Sequence, residues 1–319
     1  LSFPRKAVDP VKDVDGASSW PPGADRPRAG FWYGDTWPTT LLLAYCRLLP
    51  RFRGKGTLFQ TVAALLFRGR LRVRNCHGVR LTIQPSDYIG RTIAFDGGFE
   101  LDSIGLAERI MRSGGVFVDV GCHFGLYTLA LGALPGVKCI AIDGSFAALA
   151  RLQRNLQYNP TIQAQIVSCA LSSENGIYCL EVAVDGNLGS TRVATGDVEA
   201  SPGRFWVAGV TLQEVLCRLA PGKIKLLKLD VEGFELSVLK GLDFRGPFRP
   251  ENLIVECYEE LFPWASESFD FLVAQGYEAL SIDGMPLADC HRVPEQNVWF
   301  RMPGCQHAER DRGLGERTA

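Results

Sequence analysis

Three carboxylates fall within residues 230–235 of the stretch I-K-L-L-K-L-D-V-E-G-F-E-L-S-V-L-K-G, residues 224–241. Asp230 closes a short apolar strand, and Glu232 and Glu235 stand at the expected start of a helix over Glu232–Lys240. Their i, i+3 spacing predicts both carboxylates on one helix face near the N-terminus, where the helix dipole favours negative charge. Acids so placed can take a proton, orient a hydroxyl or hold a divalent ion. The plainer readings are a helix cap for Asp230 and a solvated first turn for Glu235.

The second stretch that could do chemistry is G-V-F-V-D-V-G-C-H-F-G-L-Y-T-L-A, residues 115–130. Val116 to Val120 form an apolar run of the kind that makes a strand buried on both faces. Asp119 interrupts it just before a turn that holds Gly121 and Gly125, and Leu126, Leu129 and Ala130 then recur at helical spacing. Glycines at such a turn let backbone approach a ligand, and the helix start offers free N–H groups. A dinucleotide-binding turn would be G-x-G-x-x-G, and here His123 stands at the middle glycine. The next strand, Lys138–Ile142, ends at Asp143, an acid suited to the two hydroxyls of a ribose.

These residues need a sheet to hold them. Apolar strands are expected at 116–120, 138–142, 165–169, 224–229, 253–257, 277–282 and 297–301, with helices at 102–112, 125–133, 145–158, 212–219, 232–240 and 266–275. The alternation predicts an α/β protein with a doubly wound, mostly parallel seven-stranded sheet. The final connection is too short for a helical crossover, so the last strand should be antiparallel. Residues 177–210 break the alternation: strand-like pieces flank a Gly- and Ser-containing loop, read as an insertion near the site. Upstream, residues 1–38 read as a poorly ordered arm and 39–84 as a basic extension of two helices (40–49 and 57–67) and a hairpin over 71–83. The domain proper would run from 85 to 302, followed by a charged tail.

Taken together, F-V-D-V-G-C-H-F-G-L-Y-T (117–128) and K-L-D-V-E-G-F-E-L (228–236) resemble the FkbM family of class I, Rossmann-like methyltransferases. Weaker matches are D-G-G-F-E (96–100), Ala170-Leu171, the helix start at Thr211 and I-V-E-C-Y (254–258). The resemblance implies S-adenosyl-L-methionine as cofactor, held by Glu100, Asp119, Gly121, Cys122, Gly125, Asp143, Gly144, Ser168 and Ala170. It implies Asp230, Glu232 and His123 as catalytic groups, with Asp230 the first choice for base or acceptor-orienting group, Glu235 and Tyr258 as acceptor contacts, and no metal. The reaction would be O-methylation of a hydroxyl on a saccharide, glycolipid or secondary metabolite. The chain departs from the family in Cys122-His123-Phe124, in Asp143-Gly144-Ser145 where glutamate-proline is usual, and in Tyr258 where histidine is common. A nicotinamide-dependent oxidoreductase is the alternative enzyme class, disfavoured by the missing glycine. A protein that binds the cofactor without turnover is the third.

Composition narrows the partners. With 34 Lys plus Arg against 35 Asp plus Glu in 319 residues, no overall field points to nucleic acid. Ten cysteines without a C-x-x-C pair suit small buried residues in a reducing, cytoplasmic setting. No apolar run reaches the ~18 residues of a membrane span. Between Thr36 and Ser86 there are nine basic residues and no acid. That pattern fits either peripheral membrane contact through residues 39–74 or a helical cap with solvated arginines.

Overall fold

The architecture is that of a computed structural model, which describes residues 31–50, 52–75, 77–182, 191–194, 203–257, 265–289 and 297–304. In chain order its elements begin β1 (Trp32–Gly34), α1 (Trp37–Leu48), α2 (Lys55–Phe67), β2 (Leu71–Asn75), β3 (Arg80–Ile83), α3 (Tyr88–Asp96) and α4 (Leu101–Met111). The central part follows as β4 (Gly115–Val120), α5 (Leu126–Gly132), β5 (Val137–Asp143), α6 (Phe146–Gln157) and β6 (Ala164–Ser168). Then come β7 (Ala170–Ser172), β8 (Gly176–Glu181), β9 (Arg192–Val193), β10 (Arg204–Thr211) and α7 (Leu212–Leu219). The chain closes with β11 (Ile224–Leu229), α8 (Glu235–Lys240), β12 (Asn252–Glu256), α9 (Ala265–Ala274), β13 (Glu278–Leu280) and β14 (Asn297–Arg301).

The main sheet has seven strands in the order β6-β5-β4-β11-β12-β14-β13. The first five pair in parallel, and β14 runs antiparallel to both its neighbours, as the short last connection requires. Apolar residues fill both faces of the central strands: Phe117, Val118, Ile140, Leu226, Leu227 and Leu229 are all buried. Strand order reverses between β4 and β11, and in open α/β sheets a crevice forms at the carboxyl ends of such a pair.

The insertion forms a second sheet, β7-β10-β8-β9, in which β10 pairs in parallel with β7 and antiparallel with β8. The extension adds a third: β2 and β3 form the expected hairpin, and β1 pairs with β2. Residues 32–38, read as part of an arm, thus belong to β1 and the start of α1; residues 1–30 and the tail from 305 lie outside the described residues. The stretch 88–96 forms α3, whose first turn is capped by Asp87 accepting from Gly90 N.

The extension shares its core with the main sheet: Trp32, Leu43, Phe59, Leu71 and Ile93 pack in one cluster with Phe117 and Leu129. Two of its basic residues are not solvated. Arg47 donates to the carbonyls of Trp32, Ile93 and Ala94, and the buried Lys55 donates to those of Cys46 and Leu49. Among the seven described cysteines only Cys217 is exposed.

Candidate active site

A cavity of about 310 Å³ opens at the carboxyl ends of β4, β5 and β11. That is within the ~300–1,000 Å³ range of small-molecule sites. Its first wall is built by the ends of β4 and β5. Gly121 has φ +77°, and a side chain there would collide with the Asp230 carbonyl, so only glycine lets the two central strands end this close together. The turn continues through His123, itself left-handed at φ +49°, whose backbone N donates to Asp143 Oδ2 at 2.8 Å. Ser145 N donates to the other oxygen of Asp143 at 2.7 Å. Each carboxylate oxygen keeps a second lone pair for a ligand. Burial raises the Asp143 carboxyl to about 6, against the pull of its two backbone donors.

Gly144, Ala170 and Leu180 continue this wall with apolar surface beside Asp143. The insertion thus lines the site, with Leu180 from β8 and Thr191, Arg192 and Val193 around β9. Tyr88, Phe99 and Phe234 add aromatic surface.

The opposite wall is acidic. Asp230 follows β11, and Lys228, two residues earlier on the same face of the strand, reaches it with Nζ–Oδ2 at 3.0 Å. Lys228 is fully buried; burial lowers its pKa, but the negative charges of Asp230, Glu100 and Glu256 outweigh this and hold the ammonium charged. Burial likewise pushes Asp230 up, yet the charge and hydrogen bond of Lys228, with a hydrogen bond from Glu256, leave it below the usual carboxylate range. Glu256, at the end of β12, is raised to about 10, first by burial and then by the charge of Asp230. At neutral pH Glu256 is therefore the protonated partner, and its Oε2 is buried without a hydrogen bond to any described residue. Glu232 stands on the cavity beside this pair in a left-handed conformation, φ +54°. Burial, then the charges of Asp230 and Glu235, raise it to about 7.

Glu100, also left-handed at φ +50°, sits between the walls. Its Oε2 accepts from Tyr127 Oη at 2.6 Å and Asn297 Nδ2 at 3.1 Å. The His123 ring lines the cavity with both nitrogens buried and unpartnered among the described residues. Burial and the charge of Arg151 hold it neutral, down to about 3.

The structure brings Glu100, Gly121, His123, Asp143, Gly144, Ala170, Asp230 and Glu232 onto one cavity. It places the remaining expected residues elsewhere. Asp119 is buried, its Oδ2 accepting from Thr128 N and Oγ1, so it ties β4 to α5 and reaches only a small side pocket. Cys122 packs with Leu149 and Leu152 of α6. Gly125 is a glycine because a side chain there would strike Leu152. Ser168 is exposed at the end of β6, outside the cavity. Glu235 is not a solvated partner of Glu232: its Oε1 turns back to accept from Val231 N and Gly233 N. The helix begins at Glu235 rather than Glu232, because Glu232 and Gly233 are both left-handed and cannot extend it. Tyr258 lies outside the described residues. Lys228 and Glu256 were missed, although a lysine in a mostly apolar strand, two residues before an acid and on the same face, signals a buried pair for Lys228.

A doubly wound sheet with this cavity at its switch point, a ribose-ready acid after the second strand and acids after the fourth is a class I methyltransferase architecture. Residues 119–278 match the Methyltransferase FkbM domain, and the chain belongs to that family. Methyltransferase sdnD of Sordaria araneosa is 30% identical over 170 aligned positions, with 44% of this chain and 66% of that protein covered, just under two thirds of its length. Among solved structures, a precorrin-6y C5,15-methyltransferase from Geobacter metallireducens is similar at 11% identity and TM-score 0.37, over 63% of this chain and 85% of that one. A TehB-like methyltransferase from Corynebacterium glutamicum is similar at 11% identity and TM-score 0.37, over 66% and 93%. Likeness that low carries neither a substrate nor a mechanism.

The family's cofactor is S-adenosyl-L-methionine, and the residues present fit it. Asp143 has two spare lone pairs where a ribose diol would be held, beside the apolar surface of Ala170 and Leu180. The orphaned ring nitrogens of the neutral His123 suit a polar amino-acid end. Asp143→Ala is expected to weaken binding of S-adenosylhomocysteine by roughly 1.5–3 kcal/mol, the worth of hydrogen bonds to a charged group. Calorimetry on variant protein with wild-type melting checks this, and unchanged affinity would remove Asp143 from the site.

Proposed function

We propose that this chain transfers the methyl group of S-adenosyl-L-methionine to a hydroxyl of a saccharide, glycolipid or secondary metabolite, with Glu232 as proton acceptor. The observation that carries the reading is the Glu232 carboxyl on the acidic wall, hydrogen-bonded to no described residue and poised near neutrality. When bound, the cofactor supplies a methyl on a sulfonium, already a good leaving group. The protein's work is then alignment and removal of the acceptor's proton.

A neutral alcohol is a poor nucleophile, and the best general base has a pKa near the working pH. Glu232, at about 7, meets that condition. Asp230 does not: with Lys228 beside it the carboxylate is too stabilised to hold a proton, so its role is to accept a hydrogen bond and orient the hydroxyl. Glu256 carries its proton and donates it to Asp230. His123, neutral and on the first wall, positions the cofactor's polar end. The aromatic rings of Tyr88, Phe99 and Phe234 suit the apolar face of a sugar or polyketide ring.

The base must be ionised to act. The rate therefore rises with pH through about 7 and levels off above it. A single-turnover profile checks this, and a rate that is flat or falls across that window contradicts Glu232 as the base. The function itself is tested with S-adenosylmethionine carrying a ¹³C methyl, incubated with saccharide, lipid and small-metabolite fractions. The label is expected on oxygen in the product; a methyl found on nitrogen or carbon overturns the reading.

A further inference from the structure

We infer that the outer face of α2 and the arginine pocket beside its C-terminal end form a docking surface for an anionic phospholipid membrane. Helix α2, K-G-T-L-F-Q-T-V-A-A-L-L-F, is apolar on more than one face. Phe59 and Ala63 are buried in the shared core, whereas Leu58, Leu65 and Leu66 are 48%, 76% and 74% exposed. Leu58 and Leu65 are seven residues apart, so they lie on one face of the helix, and Leu66 adjoins Leu65. Leu48 at the end of α1, and Leu49 and Phe52 in the connection that follows, are 80%, 48% and 51% exposed. A helix that is apolar all round is normally covered, and exposed apolar surface this extensive marks a contact site.

Charge decides what covers it. No acid lies between Thr36 and Ser86. Arg53, Arg68, Arg70 and Arg74 are exposed and make no ion pair with a described residue. Four residues beyond Leu66, Arg70 lines a small pocket with Thr82, Gln84, Arg151, Arg154 and Asn155. Arg151 has a side chain only 10% exposed; its Nη2 pairs with Asp87 at 2.8 Å, but its Nη1 is buried without a partner, as is Thr82 Oγ1. Three guanidinium groups and two orphaned polar atoms make a pocket suited to a phosphate oxygen, with Asp87 taking only one nitrogen of Arg151. Apolar side chains next to arginines with spare donors match the acyl and phosphate layers of an anionic leaflet, where each basic residue contributes to attraction. Among the described residues no helix is long and apolar enough to cross a membrane. This inference does not depend on the proposed reaction.

Flotation of the full chain with vesicles of phosphatidylcholine, alone or mixed equally with phosphatidylglycerol, tests it. Binding to the mixed vesicles only, weakened by salt, is expected. Leu65→Gln with Leu66→Gln, and separately Arg70→Gln with Arg154→Gln, should each reduce that binding roughly tenfold or more, with melting and S-adenosylhomocysteine affinity unchanged. No binding to the mixed vesicles, or binding indifferent to both double variants, overturns the inference. So does a dimer in gel filtration that the leucine variant dissolves, since a second copy would then be the occupant. Binding that appears only after residues 1–30 are removed also overturns it, because the chain would then cover its own patch.

Discussion

Glu232→Gln should lower the turnover rate by about 10²–10⁴, the usual contribution of a general acid or base. Glutamine keeps the length and the hydrogen-bonding oxygen, tolerates the same backbone, and loses only the ability to take a proton. Affinity for S-adenosylhomocysteine should stay near wild type, because the nucleoside is assigned to the opposite wall, at Asp143. The pH dependence through about 7 should vanish in the variant with the group that causes it. Asp230→Asn makes a useful contrast. If Asp230 orients rather than accepts, its variant should retain a pH profile that still turns near 7, whatever its rate. A Glu232→Gln enzyme with near-normal single-turnover rate would return the base role to Asp230.

The second large effect concerns stability. Lys228 is the buried cation that three acids face: Asp230 at 3.0 Å, Glu100 at 3.9 Å and Glu256 through the shared network. Replacing it by methionine keeps the packing volume but leaves the part-buried Asp230 carboxylate without its cation. Breaking a fully buried pair costs roughly 3–5 kcal/mol, and the partial exposure of Asp230 places this loss toward the lower end. The sign with pH follows from Asp230, whose folded pKa lies below its unfolded value. The stability it contributes is present above the unfolded value and is lost as pH falls through the folded one. In Lys228→Met that contribution is gone and burial, no longer opposed by the ammonium, raises the Asp230 carboxyl, so the deficit relative to wild type should be largest near neutrality and shrink as pH falls toward the unfolded value. Denaturant unfolding at pH 7 and at pH 4 measures this, and equal midpoints for variant and wild type at pH 7 would contradict the network.

The fold was legible because the central strands of the main sheet are largely apolar runs, with β4, β5 and β11 ended at Gly121, Asp143 and Asp230, and because helices of ordinary amphipathic period separate most of them. The first wall of the site was legible for the same reason: Gly121 and Asp143 sit at strand ends, where sequence position nearly equals spatial position. Loop conformation was not. Glu232 and Glu235 have helical spacing, but left-handed φ at Glu232 and Gly233 turns one carboxylate into the cavity and the other back onto the loop. Cys122 and Gly125 sit in the ligand turn by sequence, yet their environment is set by Leu149 and Leu152, which a local reading does not see. Lys228 could have been found, since period-two spacing to Asp230 places both on one face of the strand. Glu256 could not, because its proton belongs to a contact between two strands distant in sequence. In the extension the basic run was plain, but which residues it buries, Arg47 and Lys55 among them, depended on packing against α3 and β1.

The most direct measurement is a crystal structure of the complex with S-adenosylhomocysteine. Both ribose hydroxyls are expected on the Asp143 carboxylate, the amino-acid end against His123 and Glu100, and the sulfur facing Asp230 and Glu232 across the cavity. A nucleoside bound away from Asp143, or a sulfur turned away from the acidic wall, would contradict this placement.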